Sequence, residues 1–532
     1  MNLANLIEDG IRRYGVYDYC YFEGKWWTNV ELNETSNKLG NALKKLGVGR
    51  GDRVVTQLPN CVEIFVTFNA VYKIGAVMVP MNPILRPDQI SYIYRDCGAK
   101  VTITTSDYLP WIREAQKNAP DLKHIIVIDK LDIEGTLYLG KLLSESSDQL
   151  STLDMDNDDL AALVYTSGTT GNPKGVMHTH YSLWINALSF SEFNITAAST
   201  TLRSISRELN VRSYVYSERL QEITGLDRNN PYLAVLPLSH SFGLGFMNFG
   251  NLAGAKFIIM RWWNPEEAMK LIEKFRISFI TFVPTMFWHL LDNPNIDKYD
   301  LSSLRYCNCG AAAMSPEIAY RWKEKFGLDI YEGWGMTESG AITSGNSLLR
   351  PPKIGSIGCN LLTCNRISVV DSNDNELARG QTGELVIKGP CVMKGYWNMP
   401  EETAETLKNG WLHTGDIGHR DEEGFFYITD RKKDLIIRGG ENVSPKEVEE
   451  AVCKYAKVAE AGCVGISDRV YGEDIKVFVV LKPGQNCTEA EIIEFCKQQL
   501  PTFKQPKKVQ FIEALPKNML GKTLRVELRK LK

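Results

Sequence analysis

The sequence predicts an α/β protein, with a large N-terminal domain of parallel and mixed sheets and flanking helices and a small α+β C-terminal domain. Three observations predict it. Short apolar runs alternate with helical patterns over most of the chain, and the pattern changes character from about Asp430. The length of 532 residues exceeds what one hydrophobic core supports, so two or more domains are expected.

The elements follow in order. ELNETSNKLGNALKKLG (31–47) sets Leu32, Leu39, Leu43 and Leu46 at near-helical spacing and stops at Gly47. DRVVTQLPN (52–60) reads as a strand, and Asn60 can cap the apolar helix after it. AVMVP (76–80), an amphipathic DQISYIYRDCG helix (88–98) and KVTITT (100–105) continue the alternation. Strand-like runs recur at HIIVID (124–129), LAALVYTSG (160–168), YLAVLPLS (232–239), KFIIM (256–260) and ISFITFVP (277–284). Such alternation implies a largely parallel sheet covered by helices on both faces. Between His180 and Tyr232, Arg203, Arg207, Arg212, Arg219 and Arg228 are interleaved with acidic residues, which reads as a solvated helical insertion rather than a nucleic-acid surface.

Beyond Asp430, FFYITD (425–430) and LIIRGG (435–440) read as strands joined at the charged turn DRKKD. SPKEVEEAVCKY (444–455) opens with Ser444 as cap, Pro445 at the first helical position and Glu447 completing a capping box. TEAEIIEFCKQQL (488–500) repeats the device with Thr488 and Glu491. With the strands DIKVFVVLKPG (474–484) and KKVQFIEAL (507–515), the expected division is a domain over 1–430, a hinge at 431–433 and a domain over 434–532.

Composition narrows the function. A net charge of −3 offers no electrostatic footprint for nucleic acid or an anionic membrane. The most apolar stretch, Ile64 to Leu85, is interrupted by Asn69 and Lys73 and is no bilayer span. The N-terminus lacks the pattern of a signal peptide. Twelve scattered cysteines without a CxxC pair fit a reduced cytoplasmic protein.

The densest chemical signal is YTSGTTGNPKG (165–175), directly after the apolar LAALV. Hydroxyls, glycines and Lys174 at the C-terminal edge of a sheet offer donors and a cation to a polyphosphate. Near the C-terminus, LPKNMLGKTLR (515–525) imitates the tail of a P-loop, but Pro516 stands where that loop needs glycine. From the residues alone it is a turn at Gly521 before a terminal helix.

YTSGTTGNPKG resembles the signature loop of the AMP-forming adenylating enzymes, the superfamily of acyl-CoA synthetases, firefly luciferase and peptide-synthetase adenylation domains. LPLSHSFG (236–243), GAAAMSPE (310–317), YEGWGMTES (331–339), TGE (382–384), WLHTGDIG (411–418), DRKKDLIIRGGENVSPKEVE (430–449) and LPKNMLGKTLR occur in that superfamily's order. The resemblance implies a two-step reaction. A carboxylate attacks the α-phosphate of ATP, releasing pyrophosphate, and a thiol, usually that of coenzyme A, then displaces AMP.

It also implies roles. Thr166, Ser167, Gly168, Thr169, Thr170, Gly171 and Lys174 would hold the β- and γ-phosphates. Gly310, Ala311, Ala312, Glu332, Gly333, Gly335 and Met336 would line the nucleotide, with Trp334 in the place of a tyrosine stacked on adenine. Thr337 would contact the α-phosphate, and Glu338 would bind Mg²⁺. Asp416, helped by Arg431, would receive the ribose hydroxyls. Lys522 would contact the substrate carboxylate and α-phosphate from a mobile C-terminal domain that turns about Lys433. Gly439 and Gly440 would then line the coenzyme A tunnel. ATP, Mg²⁺ and coenzyme A are the implied cofactors and co-substrates.

Peptide-synthetase domains hold a substrate amine with an aspartate in the segment that here reads Ser239–Leu244 and contains no acid. A non-amino, cyclic or aromatic or medium-chain carboxylic acid is therefore expected, bordered by His240, Phe242, Gly243 and Ala313, with His240 as a gate. Small residues at 310–313 read equally as room for substrate or as close backbone approach. No carrier segment follows Lys532, so free coenzyme A is the expected thiol. Two rivals stay open: an acyl-AMP ligase serving another acceptor, with the 196–230 insertion in mind, and a non-catalytic nucleotide sensor.

Overall fold

The computed structural model describes residues 1–166, 172–196, 231–346, 351–360, 364–438, 441–517 and 521–531. The chain divides into two compact units: Met1–Arg366 with Ile387–Leu412, and Ile367–Val386 with His413–Lys532.

The first unit holds two sheets. One has eight strands, in the order Gly395–Tyr396, Lys174–Thr179, Leu160–Thr166, Val77–Met81, Arg53–Gln57, Ala99–Thr104, His124–Val127 and Leu137–Tyr138. From Leu160–Thr166 outward to Leu137–Tyr138 the neighbours run parallel. Leu160–Thr166 (β1) and Lys174–Thr179 (β2) form an antiparallel hairpin. The other sheet has nine strands. Its central parallel run places Tyr232–Ala234, Phe279–Phe282, Tyr306–Cys309 and Ile330–Trp334 side by side. This is the predicted α/β class, resolved into two sheets by the alternation.

The apolar stretch around Ile64 becomes the helix Val62–Lys73, buried on nearly every side, followed by the buried strand Val77–Met81. Lys73, 1% exposed, is neutralised there by Glu8. Asn60 does not cap that helix; Cys61 stands at its N-cap. The Asn60 amide instead donates to the carbonyls of Val235 and Leu236, and its oxygen accepts from Leu238 N–H at 2.9 Å. It braces the segment leading into the helix Ser241–Ala253 (α1).

The second unit carries the expected α+β elements. The long hairpin Val458–Asp468 with Gly472–Leu481 is flanked by Ile436–Arg438 and Lys508–Phe511. Val448, Val452, Val477 and Ile492 meet in its core, where the helices Pro445–Cys453 and Glu489–Gln499 pack. Thr488 and Glu491 form the predicted capping box. At Ser444 the hydroxyl accepts from Glu447 N–H, but the Glu447 carboxylate is turned to Lys504 at 2.6 Å.

Compactness draws the line between units earlier than the predicted 431–433. The reason is local. Ser444 donates to Asp430 at 2.6 Å and Lys446 donates to the Ile428 carbonyl at 3.1 Å, joining residues on both sides of that turn.

Candidate active site

In the first unit, the candidate motifs follow the C-terminal ends of parallel strands, where α/β sheets open to ligands. Residues 236–243 come after Tyr232–Ala234, 310–317 after Tyr306–Cys309, and 335–339 after Ile330–Trp334 (β3). The β1–β2 hairpin pairs Thr166 with Lys174, so the two ends of the glycine-rich loop stand opposite each other. Ser167, Gly168, Thr169, Thr170 and Gly171 lie outside the described residues.

Tyr396 joins two of the predicted residues. Lys174 Nζ lies 5.0 Å from the centre of its ring, and its hydroxyl donates to Glu338 Oε1 at 2.9 Å. Burial and the Glu338 carboxylate push the phenol far up, so Tyr396 is a neutral donor. The Glu338 carbonyl accepts from Met393 N–H at 2.8 Å. Beside it, the Thr337 hydroxyl lies 3.1 Å from Ser241 Oγ, and the Thr337 carbonyl lies 2.6 Å from His178 Nε2. Desolvation drops His178 to about 4; because a carbonyl only accepts, the neutral ring carries its proton on Nε2.

His240 is the N-cap of α1, where its Nδ1 accepts from Phe242 N–H at 3.2 Å. Burial brings its ring to about 4 as well, leaving a neutral imidazole protonated on Nε2. The Phe242 ring occupies the space over Gly310, where an added Cβ would come within 2.8 Å of it. A Cβ on Gly243 would lie 2.3 Å from the Pro237 carbonyl, and one on Gly335 would lie 1.7 Å from that of Ala341. Backbone approach therefore accounts for these glycines, and Gly310 leaves room for Phe242 itself. Ala311 has φ 68°, a strained left-handed value for a non-glycine residue, while Ala312 and Ala313 follow it toward solvent. Glu332 accepts from Met314 N–H at 3.0 Å and braces this same loop. Gly333 lies in β3 opposite Gly345, and Trp334 and Met336 pack against Val176, Met393 and Tyr396.

In the second unit, Asp416 on Trp411–Arg420 (β4) faces Arg431 on Phe426–Arg431 (β5) across an antiparallel ladder. Arg431 Nε donates to Asp416 Oδ1 at 2.7 Å, and Asp416 is only 2% exposed. Lys433 sits in the next turn, closed by Asp434 N–H on the Arg431 carbonyl at 2.9 Å. Gly521 has φ 73°, the predicted turn before Lys522. Crowding by protein and then the Arg431 guanidinium bring the Lys522 ammonium down to about 8, although its side chain remains open to solvent; Asp416 and Asp434 oppose the shift. Gly439 and Gly440 lie outside the described residues.

The profile of the AMP-binding enzyme family matches residues 8–397, and that of the AMP-binding enzyme C-terminal domain matches residues 447–522. The chain belongs to the AMP-binding enzyme family. A long-chain-fatty-acid–CoA ligase of Bacillus subtilis is 32% identical over 99% of this chain and 94% of its own length. A 4-coumarate–CoA ligase of Narcissus pseudonarcissus is 33% identical over 96% of this chain and 89% of its own. Among solved structures, an anthranilate CoA ligase in complex with anthranoyl-AMP superposes with TM-score 0.87 at 28% identity, covering 100% of this chain and 97% of that one. The o-succinylbenzoate CoA synthetase of Bacillus subtilis with its acyl-adenylate gives TM-score 0.82 at 26% identity, covering 99% and 98%. This AMP-binding enzyme is an AMP-forming acyl-CoA ligase, an acid–thiol ligase that uses ATP and coenzyme A.

Several residues around this enzyme's motifs escaped the sequence reading. His178 holds the Thr337 carbonyl, Tyr396 holds Glu338, and Asn60, expected as a helix cap, braces 235–238 instead. Ser241 lay inside a recognised motif and was the one with a signal. Among the described residues, no helix is long and apolar enough to cross a membrane.

Proposed function

We propose that this ligase activates an apolar, non-amino carboxylic acid, cyclic or aromatic or of medium chain length, and transfers its acyl group to free coenzyme A. The observation that carries the reading is the grouping of Lys174, Tyr396, Glu338 and Thr337 beside β1, β2 and β3. The first step transfers a nucleotidyl group between anions, so cations and aligned donors matter more than a base. Lys174, with the loop from Thr166 to Gly171, offsets charge on the departing pyrophosphate. Thr337 donates to the α-phosphate, and Ser241 and His178 keep it oriented.

Among the described residues, no three acidic, histidine or cysteine side chains gather around a metal site. One carboxylate plus substrate phosphates suits Mg²⁺, and Glu338 is the residue that would hold it. Bound there, Mg²⁺ would neutralise phosphate charge. Asp416 and Arg431 bind the ribose, Lys522 serves adenylation, and Gly439 and Gly440 serve thioester formation after the C-terminal domain turns about Lys433.

The absence of an acid from Ser239 to Leu244 supports a substrate without an amine. Phe242 packed on Gly310 supports a short pocket that suits a ring or a medium chain. The test is a panel of aromatic, medium-chain, long-chain and amino acids assayed for pyrophosphate release with and without coenzyme A. Aromatic or medium-chain acids are expected to lead, with thioester formed when coenzyme A is present. Preference for an amino acid would overturn the substrate reading, and adenylate without thioester would favour transfer to another acceptor.

A further inference from the structure

Lys522 is carried on a short hairpin. Lys517 and Thr523 form an isolated antiparallel bridge, and Leu524 N–H donates to the Pro516 carbonyl at 2.8 Å. Arg525 follows and opens the short helix Arg525–Leu528. Its guanidinium forks onto Glu449, Nε donating to Oε1 at 3.2 Å and Nη2 to Oε2 at 2.8 Å, while Nη1 reaches Asp434 Oδ2 at 3.4 Å. Each of the three side chains is less than one-fifth exposed. Glu449 lies on the helix Pro445–Cys453 (α2) and also accepts from Cys463 N–H at 2.8 Å. Asp434 is the residue next to Lys433, and Arg529 adds a second cation to it at 3.2 Å.

We propose that Arg525 is a positioning residue for adenylation, fixing the Lys522 hairpin to α2 through Glu449 and to the turn at Lys433 through Asp434. An ion pair withdrawn from water adds little net stability, whereas a two-pronged guanidinium fixes direction. The fork ties the lysine and the turn into one piece, so a turn about Lys433 carries Lys522 with it. Arg525 also acts on Lys522 at a distance. Arg431 and Arg525 disfavour the ammonium, and Asp416 and Asp434 favour it.

The inference rests on the proposed role of Lys522, and the experiment separates the two. Adenylation is followed by pyrophosphate exchange across pH, and thioester formation by AMP release from preformed acyl-adenylate plus coenzyme A. The double variant Arg525→Met with Glu449→Gln leaves no buried unpaired charge. It is expected to lose adenylation kcat roughly 100-fold, as displaced catalytic groups do. KM for ATP and the thioester step should hold. The basic limb of the adenylation profile should move to higher pH, because a cation near Lys522 is gone. Arg525→Lys keeps a cation without the fork, so it should lose rate with the limb in place, and it decides alone if the double variant does not fold. Wild-type adenylation in Arg525→Lys, or equal loss in both half-reactions, would overturn the proposal. In Lys522→Ala, retained adenylation would overturn the underlying role of Lys522 instead.

Discussion

Three histidines in this ligase are held neutral by their surroundings. His178, His180 and His240 each fall from the ordinary 6.5 to about 4, chiefly through desolvation. Below pH 6.5 the unfolded chain binds protons that the folded chain refuses. Their stabilising share is therefore complete above 6.5 and is lost as pH falls from 6.5 toward 4. The thermal midpoint should decline over that window. His178 is 1% exposed, and His178→Gln, which keeps a donor for the Thr337 carbonyl, should remove its share and make the decline shallower. An equally steep decline in the variant would remove His178 from the account. Sequence alone could not supply this. His178 stands among ordinary strand residues, and the carbonyl it holds is 159 positions away. Glu338 and Lys174 could be named as candidates because their neighbours in sequence are part of the motif, while their supports are not.

Elements show the same division between what a motif encodes and what packing adds. Strand β1 and the loop after it were foreseeable, since an apolar run leads straight into glycines, hydroxyls and a lysine. The strap Gly395–Tyr396 was not; its two strand residues pair with β2 at Met177 and Val176 and bring the tyrosine beneath Lys174. Gly310 shows why small residues were ambiguous, because whether a missing side chain makes room for ligand or for Phe242 depends on a partner 68 positions earlier. The strap can be dissected. Tyr396→Phe keeps the ring face toward Lys174 and removes the hydrogen bond to Glu338. A bond to a charged group is worth about 1.5–3 kcal/mol, so adenylation should slow roughly 10-fold or more. Tyr396→Ala should slow it further by removing the ring as well. Both are read by pyrophosphate exchange, and a Phe variant at wild-type rate would detach Tyr396 from Glu338 function.

At the scale of the whole chain, the α/β character of the large unit and the α+β character of the small one were both visible from the change in pattern near Asp430. Compactness groups residues from both sides of the turn that the sequence marks as a hinge, where Ser444 and Lys446 hydrogen-bond back across it. A compact boundary and a pivot need not coincide. Compactness reports which residues pack together, while a pivot needs only a few residues able to change φ and ψ. The turn at Lys433 is the proposed pivot, flanked by Lys432 N–H on the Gly415 carbonyl at 2.7 Å and Asp434 N–H on the Arg431 carbonyl. Lys433→Pro fixes φ at the turn and restricts Lys432 as well. If Lys433 is the pivot, one half-reaction should survive near its wild-type rate while the other falls roughly 10-fold or more, the size expected when a gating motion limits turnover. Pyrophosphate exchange and AMP release from preformed adenylate distinguish them in one preparation. Equal loss of both would mean that the substitution damages the fold, and unchanged rates in both would move the pivot elsewhere along the chain.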